Sequence, residues 1–555
     1  MKSLRAAVLV AVSVVVLAVG SCGGGSGSGG QGGAGISGSG GAAGAVGQPQ
    51  LCGAGQALCA GRCASISLED DRCGPGACAV ACAGAQHCTE GTCQSSKVEH
   101  VVLIVQENHT FETYFGAYCQ ALAGTNPTCT NGPACCEGAP YDPATLRYLE
   151  PHGAYALRLD DAPGNPASNF DHDRDHGQAC EILQIDGGAM DRFVTGTTGS
   201  DATCFGVGPN CSDATNWVIA DGTKVTDPVN YYWSLAAGNA LADRYFQPIA
   251  GGTASNNMYF AGAAFRFVDN LMMPDVVVGT RSGGGLCVDP LDCTDSARAR
   301  PPYAIDTVAD LLLNSGRTFA IYADGYADAY EAATVPQCPA APLDCPYNDC
   351  LTYPVACHGC TYDPSDIPFL YYRGFADTPS AAGLVPTPYE KDYASLRDDV
   401  TARTLPDFSF VKARLFHNEH PNMSTITDGV AFVRDTIQTV LASPIYASNT
   451  LILVTWDEGG GFFDHVGPPA APPTTVDADN NGQPVPYGTR VPLLALGPFA
   501  KTGTVSHVPM EHSSIVKFLE YNFVGPVGQL RARDGWANNI GSLLDPKKTG
   551  VHVPE

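Results

Sequence analysis

Between Leu451 and Pro469 the chain reads LILVTWDEGGGFFDHVGPP. Five apolar or β-branched residues run into Trp456, and then Asp457 and Glu458 appear together, followed by three glycines. A continuous apolar run of that length, closed by glycine, predicts a strand buried on both faces. A second stretch has the same form. VVLIVQENHTF (Val101 to Phe111) predicts a buried strand that delivers Glu107 and Asn108 at its end. Thr318 to Ala323 and Val491 to Leu496 predict further strands, and the periodicity predicts helices at Ala304 to Leu313, Asp428 to Leu441 and Ser513 to Tyr521. Apolar strands alternating with helices predict a parallel sheet covered on both faces, a three-layer α/β/α domain.

Ligand sites in such sheets lie beyond the carboxyl ends of the strands. Glu107, Asn108, Asp457 and Glu458 are all placed there. A charged pair at a strand end can be a simple terminator, but two such pairs in equivalent positions point to a cation. The donors are all oxygen, which suits a hard divalent ion such as calcium, magnesium or manganese. A third segment, DRYFQPIAGGTASNNMYFAG, presents Thr253 after Gly251 and Gly252. On its own it reads as a capped turn.

The remaining composition sets the context. The 555 residues carry 30 Lys plus Arg against 56 Asp plus Glu, a net charge of −26. That balance argues against nucleic acid, whose phosphates need a basic footprint. The 23 cysteines are too many for a reducing cytosol. Cys22 stands alone, eight lie between Cys52 and Cys93, and fourteen lie between Cys119 and Cys360. Residues 1–21 read as a signal peptide ending in Val19-Gly20-Ser21-Cys22, which resembles a bacterial lipobox. Ordinary cleavage before a free cysteine is the alternative. Residues 22–50, with 14 glycines in 29 residues and no charge, read as a flexible tether. Residues 51–94 read as a small module in which four disulfides replace a core. Residues 95–555 form the large domain, with disulfide-stapled insertions expected at 119–170, 195–230 and 280–365. Cys357-His358-Gly359-Cys360 reads as disulfide rather than zinc, and the sequon Asn108-His109-Thr110 as chance.

Taken together, these segments resemble the bacterial phosphoesterase family that contains phospholipases C and periplasmic acid phosphatases. EHVVLIVQENHTFETYFG (Glu99 to Gly116) is similar to the family's opening segment, and GGTASNN (Gly251 to Asn257) to its nucleophile segment. WDEGGGFFDHVGPP (Trp456 to Pro469) is similar to its second metal segment. DRDH to MDRFV (Asp173 to Val194) and EHPNMSTITDG (Glu419 to Gly429) resemble its histidine segments and point to His176 and His420. The closing segments YGTRVPLLALGPFAKTG and MEHSSIVKFLEYNF also match.

The resemblance implies an alkaline-phosphatase-like fold and hydrolysis of phosphate esters. It implies a divalent cation on Glu107, Asn108, Thr253, Asp457 and Glu458, with Thr253 as nucleophile. It also implies His176 and His420 at the phosphoryl group or leaving group. His465 is added as a catalytic candidate, and His512 stays open between site and scaffold. The nucleophile segment departs from the family in carrying Gly252, Ser255 and Asn257. A heavier departure is YDPSDIPFLYY (Tyr362 to Tyr372), where Asp366 stands at the place of the family's histidine. It would repel phosphate unless it pairs with a cation or takes a metal. The chain ends at Glu555 without the β-domains that family phospholipases often carry, which tilts the expectation toward a phosphate monoester over a phospholipid substrate. A surface-binding lipoprotein with a weakened site is the reading from a different class. Contact with a membrane would come through a lipid on Cys22, at the cell envelope.

Overall fold

A computed structural model describes residues 52–197, 211–275, 299–330 and 362–555, apart from a few single positions within those stretches. The expected signal peptide and tether, Cys22 and the Cys357 to Cys360 segment therefore lie outside the described residues.

Eight strands form the main sheet: β1 (His100–Gln106), β2 (Ala240–Ala242), β3 (Phe319–Ala323), β4 (Glu390–Asp392), β5 (Phe408–Lys412), β6 (Thr450–Trp456), β7 (Leu493–Leu496) and β8 (Thr504–Ser506). Their spatial order is β4-β3-β5-β1-β6-β7-β2-β8. The helices used below are α1 (Phe111–Phe115), α2 (Gln178–Ile185), α3 (Asn230–Gly238), α4 (Thr253–Gly262), α5 (Val308–Asn314), α6 (Ala394–Ala402), α7 (Ile426–Leu441) and α8 (His512–Leu519). α4 packs against α5 and α8, while α6 packs against α7. Arg434 of α7 lies over the ring of Tyr231 in α3. The two sets cover the two faces of the sheet and give the three-layer α/β/α arrangement.

β1 and β6 are the centre. Val101 to Val105 and Leu451 to Val454 have no solvent exposure, as continuous apolar runs require when both faces are covered. β1 pairs in parallel with β5 on one side and with β6 on the other. The expectation of an all-parallel sheet holds for most of it, but β7 runs antiparallel to both β6 and β2. The reason is local. After β6 the described chain contains no helix before β7, so no crossover returns it to the amino edge. It enters β7 from the carboxyl edge instead.

Helix limits follow their caps. Thr425 accepts from the backbone N–H of Asp428 and starts α7 two residues earlier than the sequence suggests. Thr307 and Asp310 form a reciprocal capping box that delays α5 to Val308.

The cysteine-rich segment holds four bridges, Cys52–Cys63, Cys59–Cys78, Cys73–Cys88 and Cys82–Cys93. It has few buried apolar residues besides its cysteines, so the bridges do the work of a core. Its His87 ring stacks on Tyr521, centroids 3.5 Å apart. In the large domain Cys119–Cys136, Cys129–Cys135 and Cys180–Cys211 pin the first two of the expected insertions. Most of the third lies outside the described residues.

Because Leu103 is fully buried at the centre of β1, Leu103→Ala should cost about 2–5 kcal/mol of stability. Chemical denaturation would show this as a lower midpoint with an unchanged slope.

Candidate active site

The parallel register sets the site. Gln106 of β1 lies beside Trp456 of β6. The next residues of each strand therefore emerge side by side, and Asn108 N–H donates to Asp457 Oδ1 at 3.1 Å. Asn108 holds φ at +60°, a left-handed conformation that asparagine tolerates better than most residues. Gly460 has φ +63° and passes so close to the Asn108 carbonyl that a Cβ there would collide with it. The first of the glycine-rich turns behind Asp457 is therefore a steric requirement.

Thr253 is the first residue of α4, and its hydroxyl donates to Glu107 Oε2 at 3.2 Å. Gly251, at φ +129°, precedes it, and its N–H donates to Glu181 Oε2 at 2.6 Å. Glu181 also accepts from Gln247 Nε2 at 2.8 Å and Thr489 N–H at 3.0 Å. Burial raises its carboxyl to about 7 against those hydrogen bonds.

Three buried oxygens of the group have no hydrogen-bond partner: Asn108 Oδ1, Asp457 Oδ2 and Glu458 Oε1. An unsatisfied buried acceptor costs about 1–3 kcal/mol, more if charged. Burial pushes Asp457 and Glu458 above the usual carboxylate range, Asp457 against the pull of Lys412 and Glu458 against that of His176. Orphaned oxygens on adjacent acidic residues are a donor set that fits a hard cation. Of the residues expected for a metal, Asn108 thus meets Asp457 and Thr253 meets Glu107.

His176 lies on the rim, its Nε2 3.9 Å from Glu458 Oε1 and 3.5 Å from Asn108 Nδ2. Burial works against the charged ring, but Asp173 and Glu458 outweigh it and hold it up at about 10. His420 sits across from it, ring centroids 6.2 Å apart. Both imidazoles donate Nδ1–H to a backbone carbonyl at 2.6 Å, of Arg174 and Pro421 respectively, so each ring is fixed by its own loop. One ligand atom each from Asp173, His176 and His420 falls within 4.8 Å of the others.

His465 and His512 go elsewhere. His465 Nδ1 contacts Glu112, and its Nε2 lies 3.3 Å from Glu137 Oε1. With Asp464 and Arg490 these groups form a separate buried ion cluster, so its contacts are structural ones rather than contacts with Thr253 or the four oxygen donors. His512 donates Nε2–H to the Asp457 carbonyl at 2.6 Å and accepts from Tyr245 OH at 2.9 Å. Burial lowers it to about 3, leaving it neutral, and it acts as scaffold behind the strand end. Asn108 is wholly buried, which removes the sequon as a glycan acceptor.

Two participants escaped the sequence reading. Lys412 closes β5 next to β1, is 2% exposed, pairs with Glu107 and lies 3.8 Å from Asp366 Oδ2. It supplies the cation that Asp366 requires. Its signal was a lysine ending the run FSFVK, visible only if that run is taken as a strand. Glu419 accepts from Tyr114 OH at 2.6 Å, Tyr232 OH at 2.5 Å, Trp456 Nε1 at 3.0 Å and Gln106 Nε2 at 3.4 Å. It therefore ties together the residues that precede Glu107, Asp457 and His420.

The sequence profile described as the Phosphoesterase family matches residues 98–525, and the chain belongs to that family. It is a hydrolase acting on phosphoric ester bonds. Phospholipase C B of Mycobacterium tuberculosis is 26% identical over 467 residues, covering 81% of this chain and 78% of that protein. Non-hemolytic phospholipase C of Pseudomonas aeruginosa is 26% identical over 465 residues, covering 77% of this chain and 54% of that protein. Among solved structures, a phosphonate monoester hydrolase from Silicibacter pomeroyi is 14% identical and covers 59% of this chain and 72% of its own, with a TM-score of 0.27. A protein in the alkaline phosphatase superfamily from Vibrio parahaemolyticus is 11% identical and covers 57% and 65%, with a TM-score of 0.28. Scores that low add no weight, and the layers are read from the sheet itself.

The ion cluster has a pH signature. Burial opposes the charge on His465, yet Glu112 and Glu137 raise it to about 9 from an ordinary value of 6.5. Its contribution to stability is complete below pH 6.5 and disappears as pH rises through 9. Thermal unfolding of wild type should show that decline, and His465→Gln should flatten it.

Proposed function

We propose that the chain is an exported, metal-dependent phosphoesterase that forms a phospho-threonine intermediate on Thr253. The observation that carries this reading is the hydroxyl of Thr253 on Glu107, beside the three orphaned oxygens of Asn108, Asp457 and Glu458. Those residues would hold a divalent cation, which when bound would withdraw charge from the phosphoryl oxygens and favour the threonine alkoxide. The chain's own groups account for the remaining chemistry. Glu107 takes the hydrogen bond of Thr253, which turns an oxygen lone pair toward an incoming phosphorus atom. As Thr253 Oγ1 attacks, its proton passes to Glu107, the new P–O bond forms and the bond to the alcohol oxygen breaks. His176, carrying its proton at neutral pH, or His420 across from it, gives the leaving oxygen its proton. Water then cleaves the phospho-threonine, and the hydroxyl is regenerated.

Relatives named as phospholipases C, one of them matched over 78% of its own length, favour a second reading in which phospholipid head groups are released. Signal-peptide export and a lipid on Cys22 would hold the domain at the cell envelope, with residues 22–50 as tether. Among the described residues no helix is long and apolar enough to cross a membrane.

Hydrolysis of p-nitrophenyl phosphate and p-nitrophenylphosphorylcholine, with and without chelator, tests the mechanism. Thr253→Ala should lose turnover on the order of a thousandfold or more while melting like wild type, and chelator should abolish wild-type turnover reversibly. Turnover that survives the substitution would remove Thr253 as nucleophile.

A further inference from the structure

The loop that carries His420 is gripped by a residue that the mechanism does not use. Between Glu419 and Ser424 the backbone is left-handed at two non-glycine positions, Glu419 at φ +71° and Asn422 at φ +69°. Such conformations are sparsely populated and persist only where the surroundings hold them. Asn169, wholly buried, supplies the grip. Its Nδ2 donates to the carbonyls of Glu419 and Ser424, each at 2.9 Å, and its own backbone carbonyl accepts from Asn422 N–H at 2.8 Å. Those two carbonyls fix which way the carboxamide is turned. Its Oδ1 lies 2.8 Å from His109 Nε2. His109 is stacked with the rings of Tyr114 and Phe462, and its Nδ1 lies 2.9 Å from the Glu107 carbonyl oxygen. A continuous series of contacts therefore runs from the Glu107–Asn108 turn, through His109 and Asn169, to the chain on both sides of His420.

With Nδ1–H given to the Pro421 carbonyl, Nε2 is the nitrogen of His420 left to exchange a proton with a substrate. Where that nitrogen sits relative to Thr253 and Glu107 is decided by where the loop sits. We infer that Asn169 is a positioning residue: through His109 it holds the His420 loop in register with the Glu107–Asn108 turn, so that His420 Nε2 meets the leaving oxygen of an ester attacked by Thr253. The inference rests on the phosphoesterase reading of that site and takes His420 as its leaving-group acid. As the bond from phosphorus to the leaving oxygen breaks, the Nε2 proton passes to that oxygen, and the water that cleaves the phospho-threonine returns a proton to the ring. A misplaced acid forfeits what general acid catalysis supplies, on the order of a hundredfold or more. The loss falls only on alcohols that need a proton to leave. A nitrophenolate leaves without one, so loosening the loop should slow one kind of ester and spare the other.

The test compares kcat/KM at pH 6 for p-nitrophenyl phosphate and ethyl phosphate, or for the p-nitrophenyl and ethyl esters of phosphorylcholine if wild type prefers diesters. Full-length wild type, Asn169→Ala, His420→Ala and the double variant would be assayed below the melting temperature that circular dichroism gives for each. Asn169→Ser takes the place of Asn169→Ala if the alanine variant does not fold. For Asn169→Ala the ethyl ester should slow by about thirtyfold or more and the p-nitrophenyl ester by less than about threefold. His420→Ala should show the same selectivity, and the double variant should be no slower than His420→Ala by more than about twofold, because both changes remove one function. Equal losses on the two esters in Asn169→Ala, beside a selective His420→Ala, would overturn the inference and leave Asn169 as scaffold. Losses that multiply in the double variant would overturn it too. If His420→Ala is itself unselective while Thr253→Ala is inactive, the acid role of His420 fails and takes the inference with it, and the nucleophile stands. Wild type that turns over neither ester would overturn the mechanism and the inference together.

Discussion

The parallel pairing of β1 with β6 is the constraint on which the rest depends. It aligns Gln106 with Trp456 and so sets Glu107 and Asn108 beside Asp457 and Glu458, four polar residues at the end of two strands that are otherwise wholly apolar. A shift of one residue would send each of these side chains to the opposite face of the sheet. The register is therefore held by the core on both faces, and the buried acids are held by the register.

Like charges buried together need compensation, and the structure supplies it from three directions. Lys412 arrives from β5 on the far side of β1, His176 from the loop before α2, and the N–H groups of Asn108, Glu458 and Gly460 from the strand ends themselves. Asn108 Oδ1, Asp457 Oδ2 and Glu458 Oε1 remain without a hydrogen bond. Behind them Glu419 collects four donors, two of them from the residues just before Glu107 and Asp457. A buried carboxylate with its acceptors filled is a rigid fixture rather than a liability, and here it links both strand ends to the loop bearing His420.

Much of this was legible in the residues. Apolar runs ending in Glu-Asn and Asp-Glu marked both central strands, since only a strand covered on both faces is continuously apolar. Thr253 behind two glycines marked the turn into α4, and the even cysteine sets marked a disulfide framework whose first eight members pair within their own segment. What could not be read was anything set by long-range pairing. β5 is five residues long, and nothing in its own run ties its lysine to a carboxylate until β1 is placed beside it. His465 stood in the same segment as Asp457 and Glu458, yet its ring turns to Glu112 and Glu137. Sequence proximity carries no information about which way an imidazole points.

The sequence by itself determined the layers, the two strand ends and the residue types at the site, because these follow from local periodicity, glycine and burial of apolar runs. Tertiary structure alone decided the partner of each charge. Asp366 is the clearest instance: along the chain it is an acid between Ser365 and Ile367, and in the fold it lies 3.8 Å from a buried lysine that is 46 residues away in sequence, at the end of β5. Electrostatic pairing depends on separations of a few ångströms in a medium of low dielectric, and that distance is set by how strands are ordered in the sheet, not by their order along the chain.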